Sequence, residues 1–298
     1  MINDAHSDIF SFYYYEKIKQ NLDLYYEKTY HSTIGVIFLK EKDQMFSKFY
    51  DQFYLALKLL KKSKKFHLVK KYQDFKSNKL NIILGSENIK ALENNLCHLR
   101  YFYKKGLRHV ILTWNYNNML AGGSKDNGRL TKKGIKYLKY IESKNIILDL
   151  SHLNYESFYD CLNHYHKPFI CSHSNCYNLC PHPRNLKDDQ IKMIKKNKGL
   201  IGICSIKDFI SYDISKQNIK GLVDHIDYLK NLIGIDYICL GMDYMGFNKI
   251  DNDNLFDLAY YKDTIKIKEE LYLRGYNIEE INKILFNNLD NFYKKILN

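Results

Sequence analysis

The sequence predicts an α/β protein of the (β/α)8 barrel class, the TIM-type barrel. Short apolar, β-branched runs recur along the 298 residues, and there are eight of them. Patterns with helical spacing lie between them. Each run is nearly continuously apolar, as parallel strands buried on both faces require. Eight such units in a chain of this length fit a closed barrel of roughly 250 residues or more. No G-x-G-x-x-G follows the first run, which weighs against an open dinucleotide-binding sheet.

The strand runs are MIND (1–4), TIGVIFLK (33–40), LNIILG (80–85), HVILTW (109–114), NIILDLSH (145–152), KPFICSH (167–173), GLIGICS (199–205) and YICLGMD (237–243). Between them, SFYYYEKIKQNLDLYYEK (11–28), KGIKYLKYIESK (133–144), DDQIKMIKKN (188–197) and IKGLVDHIDYLKNLIG (219–234) read as helices. Ile191 and Ile194 show the three-residue apolar spacing. Two more helices, near 262–274 and 278–297, are separated by Gly275. Residues 41–79 and 115–130 exceed a simple connection, and the second, NYNNMLAGGSKDNGRL, is polar and glycine-containing, as a flap over a site would be. With 3 prolines, no linker-like stretch and no repeat, residues 1–298 read as a single domain.

Hydrophobic content of 45% with 27% charge excludes a disordered chain. The net charge of +13 comes from lysines scattered over helical stretches. The tightest group, KLLKKSKKF (58–66), reads as a solvated helix end, so no nucleic-acid partner is expected. The 7 cysteines are odd in number and several sit in apolar runs, which suits reduced, buried thiols in a cytoplasmic protein. No stretch is apolar enough to span a membrane, and no signal-peptide pattern opens the chain.

Barrel enzymes place their chemistry where the strands end. His6 and Asp8 end the first run and, two apart on a strand, share one face. Later ends supply Glu87, Trp114 with Asn115, Asp149 with His152, His173, and Asp243. Carboxylates and imidazoles crowded at one barrel end repel or stay unsatisfied unless cations or protons are shared among them. Two divalent cations would neutralise the set, with His6 and Asp8 as half of the site.

The segments DAHSDI, SEN, GLRHVILTWNYNN, LTKKGIKYLKYIESKNIILDLSH, KPFICSHSNCYNLCPHPRNLKDDQI and YICLGMDYMG occur in order from residue 2 onward. Together they resemble the membrane dipeptidase (renal dipeptidase) family of binuclear zinc peptidases, in a soluble bacterial form. The resemblance implies two Zn2+ per chain and hydrolysis of a small dipeptide by a hydroxide bridging them. It implies that His6 and Asp8 hold one zinc, that Glu87 bridges both, and that His152 and His173 hold the second. Asp243 would move the proton from the attacking water to the departing amine. Arg184 would grip the substrate's C-terminal carboxylate; the plain alternative is a surface arginine paired with Asp188 or Asp189. The family also suggests a homodimer.

Two positions depart from the pattern. Trp114 stands where kidney-type members carry a histidine, and an indole donates a hydrogen bond but takes no proton. Met245 stands where many relatives have a second acidic residue. Trp114 and Asn115 are expected to line the substrate. The departures keep open a related hydrolase acting on a cyclic amide, a lactone or an N-acyl amino acid, and a metal- or peptide-binding protein without catalysis.

Overall fold

A computed structural model describes residues 1–245 and 253–298. The strands are β1 (Ile2–Ser7), β2 (Tyr30–Phe38), β3 (Phe66–Val69), β4 (Leu80–Glu87), β5 (His109–Ile111), β6 (Ile147–Asp149), β7 (Ile170–Cys171), β8 (Leu200–Ile203) and β9 (Ile238–Leu240). All are parallel. Pairings run β1–β2, β2–β4, β4–β5, β5–β6, β6–β7, β7–β8, β8–β9 and β9–β1, which closes a ring of eight. The expected barrel is therefore present.

Its strands are apolar on both faces because both faces are covered. On β4, Ile82 and Leu84 pack into the outer cluster with the helices, while Ile83 belongs to the inner cluster. Around the ring stand α1 (Ile9–Tyr15), α2 (Phe46–Lys62), α3 (Leu96–Lys105), α4 (Lys132–Ser143), α5 (Tyr155–Leu162), α6 (Asp188–Lys196), α7 (Lys207–Ile210) and α8 (Ile219–Ile233). The chain ends in α9 (Ile265–Leu273), α10 (Ile278–Asn282) and α11 (Asn288–Ile296). The last helix inserts Leu289, Phe292, Tyr293 and Ile296 into the inner cluster. It closes the end where the strands begin, since the Leu297 carbonyl accepts from Tyr72 N–H and the Asn298 carbonyl from the Asn145 amide. The opposite end is left for chemistry.

Three expectations are corrected. The helix read over 11–28 stops at Tyr15, Lys17 turns into the left-handed region (φ 51°), and only a short 3-10 turn follows at Leu22–Tyr25. Asp23 is drawn instead to the α2–β3 junction, where its carboxylate accepts from the backbone N–H groups of Lys64 and Lys65 and from the Ser63 hydroxyl. That tertiary cap overrides local helix propensity. Residues 41–79 are not a long connection but hold α2 and a ninth strand, β3, which pairs with the first half of β4 outside the ring. The C-terminal 278–297 helix is interrupted by a π turn at Lys283–Asn287, where the Phe286 carbonyl accepts from the Asn3 amide.

The strand ends on one side are pressed together. A Cβ on Gly202 would stand 1.9 Å from the Ser172 carbonyl oxygen, and one on Gly241 would stand 1.5 Å from it. Only glycine lets β7, β8 and β9 approach this closely.

Candidate metal centre

His6, Glu87, His152 and His173 lie together at the C-terminal end of the ring, each at most 5% exposed. His6 Nε2 is buried without an aligned hydrogen bond among the described residues and faces three carboxylates: Glu87 Oε2 at 3.5 Å, Asp243 Oδ1 at 3.6 Å and Asp8 Oδ2 at 3.9 Å. On the other side of Glu87, its Oε1 lies 2.8 Å from His152 Nε2 and 3.8 Å from His173 Nε2. The two imidazole Nε2 atoms face each other at 2.8 Å.

Two groups of three thus share Glu87: His6, Asp8 and Glu87, and Glu87, His152 and His173. An imidazole nitrogen aimed at three carboxylates, and two imidazole nitrogens aimed at each other, are what ligands look like around a cation position. The nitrogen and oxygen donors suit a borderline divalent ion such as zinc.

The electrostatics agree with that fit. Burial alone would lower the His6 pKa, but its contact with Glu87 and the charges of Glu87, Asp243 and Asp8 push it up to about 10. Burial would raise the Glu87 pKa, yet the imidazoles of His152 and His6 hold it well below the usual carboxylate range. Burial and the charge of Arg184 press His152 down to about 4. His173 is held well below its ordinary value by burial and by the charges of His6 and Arg184. Both effects push His152 and His173 toward the neutral form, the form in which an imidazole can ligate a metal, and the carboxylate side calls for positive charge.

The supporting contacts fix these rings in place. His152 Nδ1 lies 2.9 Å from Asn115 Oδ1, an acceptor that puts the proton on Nδ1 and leaves the Nε2 lone pair facing inward. Ser172 Oγ stands 2.7 Å from His173 Nδ1 and 3.4 Å from His6 Nδ1, and a hydroxyl can accept from both. Asp149 sits beneath. Its Oδ2 is 2.8 Å from His109 Nε2, and its Oδ1 accepts from the backbone N–H groups of Ser151 and Ser172. It pins the two loops that carry His152 and His173. Asp4 does the same for β1 and β9, accepting from His6 N–H and Met242 N–H.

His152 (φ 69°) and Asp243 (φ 63°) both adopt the left-handed backbone region, a strain of the kind concentrated at functional sites. Ser172 and Asp4 were not singled out in the sequence. A serine beside a histidine and an aspartate inside a strand carry no pattern of their own, and their roles arise only when the strands close.

A pocket of about 600 Å³ opens over this centre. Asp8, Glu87, His152, Arg184 and Asp243 border it, with Trp114, Asn115 and Met245 farther around. Arg184 is 5% exposed, and its guanidinium carbon lies 5.5 Å over the Phe209 ring. One Nη donates to the His173 carbonyl at 3.3 Å, and Nε has no partner among the described residues. The alternative of a surface arginine paired with Asp188 or Asp189 is ruled out. Asp188 accepts from the Tyr228 hydroxyl, and Asp189 from those of Tyr155 and Tyr159. The 115–130 segment is held by the Asn118 amide on the Leu112 carbonyl and by the Asn154 amide on the carbonyls of Asp126 and Gly128. Of the sequence segments that prompted the family resemblance, only Gly246 lies outside the described residues.

The family model for membrane dipeptidase, peptidase family M19, matches residues 8–296. Dipeptidase tcpJ of Claviceps purpurea is 30% identical over 215 residues, covering 71% of this chain and 50% of its own. An uncharacterized Klebsiella pneumoniae protein from the pqqA 5′ region is 33% identical over 201 residues, 64% of this chain and 72% of its own. The chain thus spans about half the length of the fungal dipeptidase it matches. Among solved structures, a dipeptidase AC of family M19 superposes with a TM-score of 0.91 at 19% identity, over 99% of this chain and 98% of its own. A Rhodobacter sphaeroides metallopeptidase, liganded with a phosphinate mimic of the dipeptide L-Ala-D-Ala, superposes with a TM-score of 0.89 at 18% identity, over 99% of each chain. A family match running from Asp8 to Ile296, on a barrel of the same shape, makes this chain a member of the membrane dipeptidase family of metallopeptidases.

Proposed function

We propose that the protein hydrolyses free dipeptides, using two zinc ions held by His6 and Asp8 on one side and by His152 and His173 on the other, with Glu87 between them. The observation that carries this reading is the sharing of Glu87 by two ligand groups at the base of a pocket that also receives a buried arginine. Bound cations would polarise the scissile carbonyl and acidify a water.

The chain's own residues supply the rest. Arg184 takes the substrate's C-terminal carboxylate in its guanidinium fork. Its burial makes that charge-assisted contact stronger than in water, and its fixed place limits the substrate to two residues. Asp243 accepts a proton from the attacking water and returns it to the departing amine, a role supported by its carboxylate lying 3.6 Å from His6 Nε2 at the edge of the pocket. Asn115 keeps His152 in the ligating tautomer. Seven free cysteines, six of them buried, support a reducing, cytoplasmic setting. Among the described residues no helix is long and apolar enough to cross a membrane.

The test is hydrolysis of a dipeptide beside its C-terminal amide and a tripeptide. Turnover of the free dipeptide alone supports the reading. Equal turnover of all three, or of a lactone in their place, overturns it.

A further inference from the structure

One wall of the pocket is aromatic. Phe38 ends β2 and Trp114 follows β5, so the two flank the end of β4 that carries Glu87. Their ring centroids are 5.4 Å apart at an interplanar angle of 56°, and Trp114 lies 6.2 Å from the His152 ring. Both side chains are half-buried and border the pocket. Rings packed at such a tilt leave faces and edges for a third ring to join. Nothing about metal ligation or carboxylate binding requires either residue.

Strand order sets which end of a dipeptide reaches this wall. Arg184 lies between β7 and α6, and in the ring of eight β7 stands opposite β2. A dipeptide anchored on Arg184 and centred over Glu87 therefore extends its N-terminal residue across the mouth toward β2 and β5. We propose that Phe38 and Trp114 form the specificity wall for that residue, and that the enzyme prefers dipeptides whose N-terminal side chain is aromatic. This inference rests on the dipeptidase reading above. Filling an apolar subsite with a ring instead of a methyl group gives a preference of about tenfold or more in kcat/KM.

Two measurements on the metal-loaded full-length protein test it. The first compares kcat/KM for Phe-Ala, Ala-Ala and Ala-Phe in the wild type, Phe38→Ala and Trp114→Ala. The expected result is a Phe-Ala to Ala-Ala ratio near ten in the wild type that falls toward one in both variants, with the Ala-Phe to Ala-Ala ratio not falling alongside it. A wild-type ratio near one, or a high ratio that survives both substitutions, overturns the proposal. The second uses the fact that Trp114 is the chain's 1 tryptophan, so emission excited beyond tyrosine absorption reports on this wall alone. Phosphinate mimics of Phe-Ala and Ala-Ala are titrated, and the aromatic mimic is expected to change the emission much more. If no dipeptide is hydrolysed and the emission still discriminates between the mimics, the wall stands and the dipeptidase reading falls. If the emission responds equally to both mimics, or to neither, the wall itself is refuted.

Discussion

Replacing Arg184 with methionine removes the guanidinium while keeping a long side chain, and it isolates carboxylate recognition from the rest of the pocket. The magnitude follows from the surroundings. A hydrogen bond to a charged group contributes about 1.5–3 kcal/mol, and a guanidinium fork makes two, partly offset by desolvating the carboxylate. A net loss of about 2–4 kcal/mol lowers kcat/KM about 30- to 900-fold, at 1.36 kcal/mol per factor of ten. Stability should hold, because the arginine is already buried with its Nε unpartnered among the described residues and its pKa lowered by that burial. The assay is a two-by-two cycle of wild type and Arg184→Met against a dipeptide and its C-terminal amide. The wild type should prefer the free acid by the full factor, and the variant should treat acid and amide alike. A variant that folds and keeps the wild-type preference refutes the assignment.

Asn115→Ala should weaken zinc binding about 10- to 100-fold, because His152 loses the acceptor that sets its tautomer, while Asn115→Asp restores it; competition with a chromophoric chelator reads the difference. His6 makes a pH prediction. Its pKa, about 10 in the metal-free fold against an ordinary 6.5, is raised, so its stabilisation is complete below 6.5 and is lost as pH rises through about 10. Metal-free protein should lose stability across that window and metal-loaded protein should not. Zinc loading at neutral pH should also release a proton from His6, measurable as a buffer-dependent binding enthalpy. Gly241→Ala should abolish soluble protein or cost roughly 3 kcal/mol or more in urea denaturation, since its Cβ would stand 1.5 Å from the Ser172 carbonyl; an ordinary midpoint would mean the strands can separate there.

The barrel was readable because parallel strands buried on both faces leave unbroken apolar runs, and all eight ring strands overlap a run read from the sequence. What stayed hidden depended on contacts distant in sequence. The four residues of β3 follow a lysine-rich stretch and become a strand only by pairing with β4. The helix read over 11–28 stops at Tyr15, and beyond it Asp23 caps a junction some forty residues later. The candidate ligands were visible because histidine and carboxylates at strand ends are unusual company. The groups that orient them were not, since Ser172 and Asp4 act through geometry that only the closed ring creates. Asn115 was expected to meet substrate, and the structure places its side-chain oxygen on His152. Arg184 was ambiguous in the sequence because a single arginine has no pattern of its own; only the folded chain buries it beneath the pocket.

The most direct test of the central claim is metal content per chain on purified protein, measured together with hydrolysis of a mixed dipeptide library before and after chelation. The account predicts close to two zinc ions per chain, amino-acid release that chelation stops, and recovery when zinc is returned. Protein that binds no metal and stays inactive with added zinc or manganese would contradict it, because His6, Asp8, Glu87, His152 and His173 would then not form the centre assigned to them.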